Sequence, residues 1–83
     1  MVICLVVYDI TDDGVRNKVA EVCKDYGLDR IQYSAFLGEL SRNHQEELFL
    51  RARRCLGDRP GNVQLFPICR NDWEQRLVLV QEE

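Results

Sequence analysis

The 83-residue sequence predicts an α+β domain in which an antiparallel sheet carries two helices on one face. Three observations carry that prediction. The chain opens on a β-branched and aromatic run, Val2–Tyr8, which has the length of a strand and not of a helix. Two later stretches repeat apolar residues at helical spacing and stop at Gly27 and Gly57. Segments of strand character follow both stretches, so the order reads β-α-β-β-α-β.

The first strand is apolar at successive positions, as in a strand at the centre of its sheet. The polar turn after it offers Thr11, Asp12 and Asp13 as helix N-caps, whose charges suit the positive end of a helix dipole. Val15, Val19, Val22, Cys23 and Tyr26 then share one helix face. Residues 30–40 are long for one strand, and their alternation blurs near Tyr33–Phe36. They read as two short strands meeting at a kink at Tyr33-Ser34, with Gly38 as a possible bulge. Ser41 is the N-cap of a second helix whose expected buried face is Leu48, Phe49, Ala52, Cys55 and Leu56. A Gly- and Pro-bearing loop, 58–62, leads to the strand Val63–Cys69, in which Pro67 argues for an edge position. After a connection at Asn71–Gln75, Arg76–Val80 reads as an extra short C-terminal strand. The whole is the ferredoxin-like arrangement, expected as a single domain over residues 1–83. Its sheet leaves one face bare, and a chain this short buries only roughly 60–65% of its unfolded surface. A second copy of the chain in a two-fold dimer is the simplest cover, with Arg76–Val80 pairing to the partner's sheet edge.

Composition narrows the function. No apolar run approaches the roughly 20 residues of a membrane span, and the N-terminus carries no basic signal region, so a cytoplasmic protein without membrane contact is expected. Eleven basic against fourteen acidic residues give a net charge of −3, so any attraction to nucleic acid must come from clustered basic side chains. Cys4, Cys23, Cys55 and Cys69 lack metal or redox spacing and read as small hydrophobes, although Cys4 and Cys69 could pair on neighbouring strands. Triad-type nucleophilic catalysis is unsupported, because His44, the only histidine, falls in the first turn of the second helix. There is no Gly-rich phosphate or ligand loop, which disfavours a small-molecule sensing module.

Asp9 stands out because it ends an apolar strand. A carboxylate there can reach a hard cation such as Mg²⁺, or it can bond its own turn and help cap the first helix. One carboxylate per chain is too few for a cage, whereas two copies facing across a dimer axis would suffice. Arg16 and Lys18 of the first helix, Arg30 at the next strand, and Arg51, Arg53 and Arg54 of the second helix are candidate phosphate contacts or a solvated polar face.

The segment Tyr8-Asp9-Ile10-Thr11-Asp12-Asp13, followed by Arg16, Lys18, Val19 and Ala20, then Tyr26-Gly27, Arg30-Ile31-Gln32-Tyr33-Ser34, Phe36 and Gly38-Glu39-Leu40, resembles a known family. This is the small CRISPR-associated protein of spacer acquisition, the lesser partner of the CRISPR integrase. The close matches cover residues 2–40, and the remaining half agrees in element order. The resemblance implies a ferredoxin-like homodimer and a metal-dependent endonuclease acting on single-stranded RNA or duplex DNA. It implies Asp9 as the Mg²⁺ ligand at the dimer axis, with Tyr8, Arg16, Arg30 and Phe36 as the other catalytic-site residues. Ala35 departs from the family's usual Val, and Lys18 stands where Arg is also seen. Nucleic-acid contacts are then expected from Arg16, Lys18, Arg51 and Arg54. The alternative is a non-catalytic architectural dimer that bridges integrase dimers and holds duplex DNA through phosphate contacts.

Overall fold

The computed structural model describes residues 1–82. It contains β1 (Val2–Ile10), α1 (Asp13–Asp25), β2 (Asp29–Gln32), β3 (Ala35–Leu40), α2 (Arg42–Leu56), β4 (Gly61–Ile68) and α3 (Arg70–Glu74). The strands form one antiparallel sheet in the order β2-β3-β1-β4. The expected β-α-β-β-α-β order is therefore present. The first strand is central, the break falls at Tyr33-Ser34, and Pro67 lies on an edge strand, where its missing N–H costs no ladder bond.

Period-two alternation divides the sheet's two faces. Cys4, Val6, Tyr8 and Ile10 of β1, with Phe36 and Leu40 of β3, are buried against Val15, Val19, Ala20, Val22 and Cys23 of α1 and Leu48 and Ala52 of α2. Phe36, Leu40 and Leu48 are the largest fully enclosed side chains, each stabilising the fold by about 1.5–3 kcal/mol. The opposite face carries Ile3, Leu5 and Val7 of β1, Leu37 of β3, and Phe66 and Ile68 of β4, in register with one another and half-buried or exposed. Among the described residues no layer covers this apolar face.

Both helices start where expected. The Asp12 carboxylate accepts from Val15 N at 2.9 Å and caps α1, and the Ser41 hydroxyl accepts from His44 N at 3.1 Å and caps α2. Three expectations need correction. Phe49 is 41% exposed, because α2 turns Gln45, Leu48 and Ala52 to the core and leaves Phe49 at the mouth of a groove of about 520 Å³ against Leu65 and Pro67. The Asn71–Gln75 connection is mostly the one-turn helix α3. Arg76–Val80 forms no strand within the chain, where Leu77 is 98% and Leu79 83% exposed, so the only pairing left for it is the expected one with a partner's sheet edge. The α3 turn fills the place of a tight return from β4. Arg76 then folds back onto it, its guanidinium 3.7 Å from the Trp73 ring centroid and donating to Trp73 O. The cysteines are all free. Cys4 and Cys23 are buried as expected, but Cys69 is exposed and donates to Asp72. Among the described residues no helix is long and apolar enough to cross a membrane.

Gly61 opens β4 opposite Ile10 with φ at 143°, and a Cβ added there would stand 2.8 Å from the Asp9 carbonyl oxygen. Backbone cannot yield as a flexible side chain can. Gly61→Ala is therefore expected to destabilise the fold by about 1–3 kcal/mol. Thermal denaturation checks this, and an unchanged melting temperature would show that the end of β1 accommodates the added methyl.

Candidate functional site

The chain passes from β1 into α1 beside the β2–β3 turn, and the backbone fixes that junction. Tyr8 N donates to Ser34 O at 3.1 Å, which holds the turn level with the end of β1. Alternation then sends the side chains of Tyr8 and Asp9 to opposite faces of the sheet.

On the helix-bearing face four of the expected residues meet. Tyr8 is 2% exposed and stacks on Phe36, with ring centroids 6.3 Å apart and planes 20° from parallel. The Arg30 guanidinium lies 5.0 Å from the Phe36 centroid. Arg16 approaches from α1. Its Nη1 donates to Ile10 O at 3.1 Å and to Thr11 O at 3.4 Å, and its Nη2 pairs with Asp13. Arg16 thus ties the β1–α1 turn together. Arg30 is exposed and has no carboxylate partner among the described residues. Two buried polar atoms, the Tyr8 hydroxyl oxygen and Arg16 Nε, lack a hydrogen-bond partner. Burial raises the Tyr8 pKa, and the neighbouring Arg30 charge opposes that rise. The Asp13 carboxylate raises the Arg16 pKa against partial desolvation, and the Tyr33 hydroxyl adds to the rise.

Asp9 stands apart from this cluster. It is exposed on the bare apolar face, opposite Asn62 in the ladder, and no ion pair among the described residues engages it. The capping role belongs to Asp12, which also pairs with Arg59, while Asp13 is taken by Arg16. No group of three or more His, Cys, Asp or Glu side chains among the described residues could hold a metal. The donor at Asp9 is a hard oxygen suited to a hard cation, but one chain supplies only one such group.

The expected phosphate contacts are scattered over the helix layer. Arg51 is held by Asp25 at 2.9 Å and lies 5.4 Å from the Tyr26 centroid, so it braces α2 against the end of α1. Lys18 and Arg54 are exposed, with no ion pair among the described residues. Sequence reasoning gave Tyr33 no role of its own. It is 67% exposed, with Arg16 and Arg30 at 5.3 and 5.9 Å from its ring centroid. The available signal was a large aromatic side chain at a kink, directly after Arg30-Ile31-Gln32.

The fold and this junction define a ferredoxin-like α+β protein with a basic and aromatic cluster at the end of its central strand. The model of the CRISPR associated protein Cas2 family matches residues 1–76, and the chain belongs to that family. It is 51% identical over 79 residues to a protein of Chloroflexus aurantiacus named CRISPR-associated endoribonuclease Cas2 2, covering 95% of this chain and 93% of the relative. A crystal structure from Thermus thermophilus, described as hypothetical protein TT1823, superposes with a TM-score of 0.75 at 37% identity and 82% coverage of both chains. A Thermoproteus tenax protein named CRISPR-associated endonuclease Cas1/endonuclease Cas2 fusion is 41% identical over 64 residues, or 77% of this chain and 24% of the fusion.

The Asp12 cap has a pH signature. Its pKa is lowered from the ordinary 3.8, first by the Val15 N–H and then, against some desolvation, by Arg59. A depressed folded-state pKa contributes stability that is complete above 3.8 and is lost as pH falls through the lower folded value. Asp12→Asn is expected to keep the cap and remove that acid-limb dependence, measured as melting temperature against pH. An unaltered acid limb would place the titrating group elsewhere.

Proposed function

We propose that this protein is a Mg²⁺-dependent phosphodiesterase of CRISPR spacer acquisition, working as a two-fold dimer whose two Asp9 carboxylates hold one ion. The observation that carries this reading is Asp9 itself: an exposed carboxylate, free of any ion pair among the described residues, at the end of the central strand on an uncovered apolar face. A second copy packed on that face would cover Leu5, Val7, Leu37 and Phe66 and bring a second carboxylate. The pair would supply the hard oxygens that Mg²⁺ takes, leaving its other positions to water and phosphate. When bound, the ion lowers the pKa of water and offsets charge on the phosphate. The chain's own contribution is placement. Phe36 and Tyr8 form the aromatic floor that supports Arg30, whose exposed guanidinium has no carboxylate partner among the described residues and could take a phosphate. Arg16 holds the turn that carries Asp9 into α1.

The endoribonuclease name of the Chloroflexus aurantiacus relative supports the reaction class, and the Cas1/Cas2 fusion supports an integrase as partner. The expected cellular setting is the cytoplasm. A second reading, an architectural dimer that holds duplex DNA for the integrase, is favoured by Lys18 and Arg54. Both are exposed, without an ion pair among the described residues, and in the helix layer away from Asp9.

Asp9→Asn separates the readings, because it preserves size and hydrogen bonding but removes the charge that holds a hard cation. Loss of Mg²⁺-dependent cleavage with an unchanged melting temperature and dimer is the expected result. Retained cleavage would remove Asp9 from the site. Absence of cleavage in the wild type, with spacer integration intact in both proteins, would leave the architectural role. For that role, replacing Lys18 and Arg54 together by Ala is expected to flatten the salt dependence of duplex binding, as each lost phosphate contact releases one counterion fewer. An unchanged slope would locate the phosphate contacts elsewhere.

A further inference from the structure

We propose that Asn62 positions the Asp9 carboxylate for the ion, as a neutral hydrogen-bond donor that Gln64 holds in place. The inference rests on the nuclease reading and adds a positioning residue to that site. Asn62 is the ladder partner of Asp9, so both side chains leave the sheet on the same bare face. Directly opposed residues of an antiparallel pair have β-carbons about 4.5–5.5 Å apart, within reach of a hydrogen bond from an amide to a carboxylate. The backbone leaves this pairing little slack. Gly61, the preceding residue, packs so closely on Asp9 that an added Cβ would stand 2.8 Å from the Asp9 carbonyl oxygen. Arg59 pairs with Asp12, which ties the loop before Asn62 to the turn after Asp9.

The chemistry of the side chain suits the task. Asp12, Asp13 and Asp25 are each held by an arginine. An arginine at position 62 would hold Asp9 as firmly, but it would also cancel the charge that attracts a hard cation. An asparagine amide donates a hydrogen bond and leaves the carboxylate its full charge. Its orientation is set from the other side, where Gln64 Nε2 donates to Asn62 Oδ1 at 3.2 Å. With that oxygen engaged, the amide nitrogen is the part left for Asp9. Gln64 itself stands opposite Val7, on a face otherwise apolar along Ile3, Leu5, Phe66 and Ile68. An amide covered there by a second copy is costly to leave unpaired, and the bond to Asn62 satisfies one of its donors. Carboxylates that bind metal are themselves held by such outer hydrogen bonds, and removing one weakens metal affinity about 10- to 100-fold.

The test reads the protein first without metal. Nuclear magnetic resonance couplings about the Asp9 Cα–Cβ bond report whether that side chain keeps one rotamer. Titration calorimetry with Mg²⁺ then gives the affinity of the same samples. Asn62→Leu, which keeps the size and removes the amide, is expected to average the Asp9 rotamers in the metal-free protein. It should also weaken Mg²⁺ binding about 10- to 100-fold, with the melting temperature unchanged. Asn62→Gln, which keeps the donor, should restore both. An Asp9 rotamer that stays fixed in Asn62→Leu, or an unchanged Mg²⁺ affinity, would overturn the proposal. Weaker Mg²⁺ binding with an unmoved rotamer would make Asn62 a direct ligand and overturn the positioning role. Gln64→Leu keeps the question decidable if Asn62→Leu folds poorly, because it too should average the Asp9 rotamers, and an unmoved rotamer there counts against the proposal. Failure of the nuclease reading looks different: Mg²⁺ binding is then absent from wild type, or unchanged in Asp9→Asn, while the Asp9 rotamer still depends on Asn62.

Discussion

The alternation of a single strand governs this molecule. Along β1 every second side chain enters the core between sheet and helices, and Tyr8 is one of them. Its neighbour Asp9 must therefore emerge on the other face, which the chain leaves uncovered and apolar. A one-residue slip of β1 would bury the carboxylate and expose the tyrosine. The six-residue ladder with β3 and the eight-residue ladder with β4 prevent that slip. The end of β1 is held further by Gly61 packed on the Asp9 carbonyl, and by Arg16 gripping the carbonyls of Ile10 and Thr11.

That division assigns different work to the two faces. The helix-bearing face assembles Tyr8, Phe36, Arg30, Tyr33 and Arg16 within one chain, using contacts that need no partner. The bare face presents Asp9 beside an apolar surface, and under the proposed reading a metal centre there would be complete only when a second chain arrives. Assembly and metal binding would then be one event, because covering the apolar face is what brings the second carboxylate. Asp12, Asp13 and Asp25 are each engaged by an arginine, whereas Asp9, like Asp29, Asp58 and Asp72, has no ion pair among the described residues.

Much of the fold was legible in the sequence, because the strands and helices that pack within the chain carry their periodicity openly. The unbroken apolar run of β1, the Val15-Val19-Val22-Cys23 face of α1, the Ser41 cap and the break at Tyr33-Ser34 all fall where the residues put them. What was not legible depended on something outside the local pattern. Leu77–Val80 has the composition of a strand, but a strand exists only with a neighbour to bond. Phe49 has the spacing of a core residue, yet the tilt of α2 over β4 leaves it at a groove mouth. At the site, the resemblance to the family pointed to Tyr8, Asp9, Arg16, Arg30 and Phe36, and four of them meet in space. It gave no sign that Asp9 faces away from the rest, or that Arg51 is committed to Asp25. Tyr33 was hidden because an aromatic in a β segment reads as a strand residue until the turn is seen.

The claim that two chains build one metal site is tested most directly by a heterodimer. One subunit carries Asp9 and the other Asp9→Asn, with different affinity tags so that the mixed dimer is purified alone. If the two carboxylates hold one ion, the mixed dimer should lose Mg²⁺-dependent cleavage almost as completely as the doubly substituted dimer. If it keeps half the wild-type activity, each chain works by itself, and the shared-ion account is wrong.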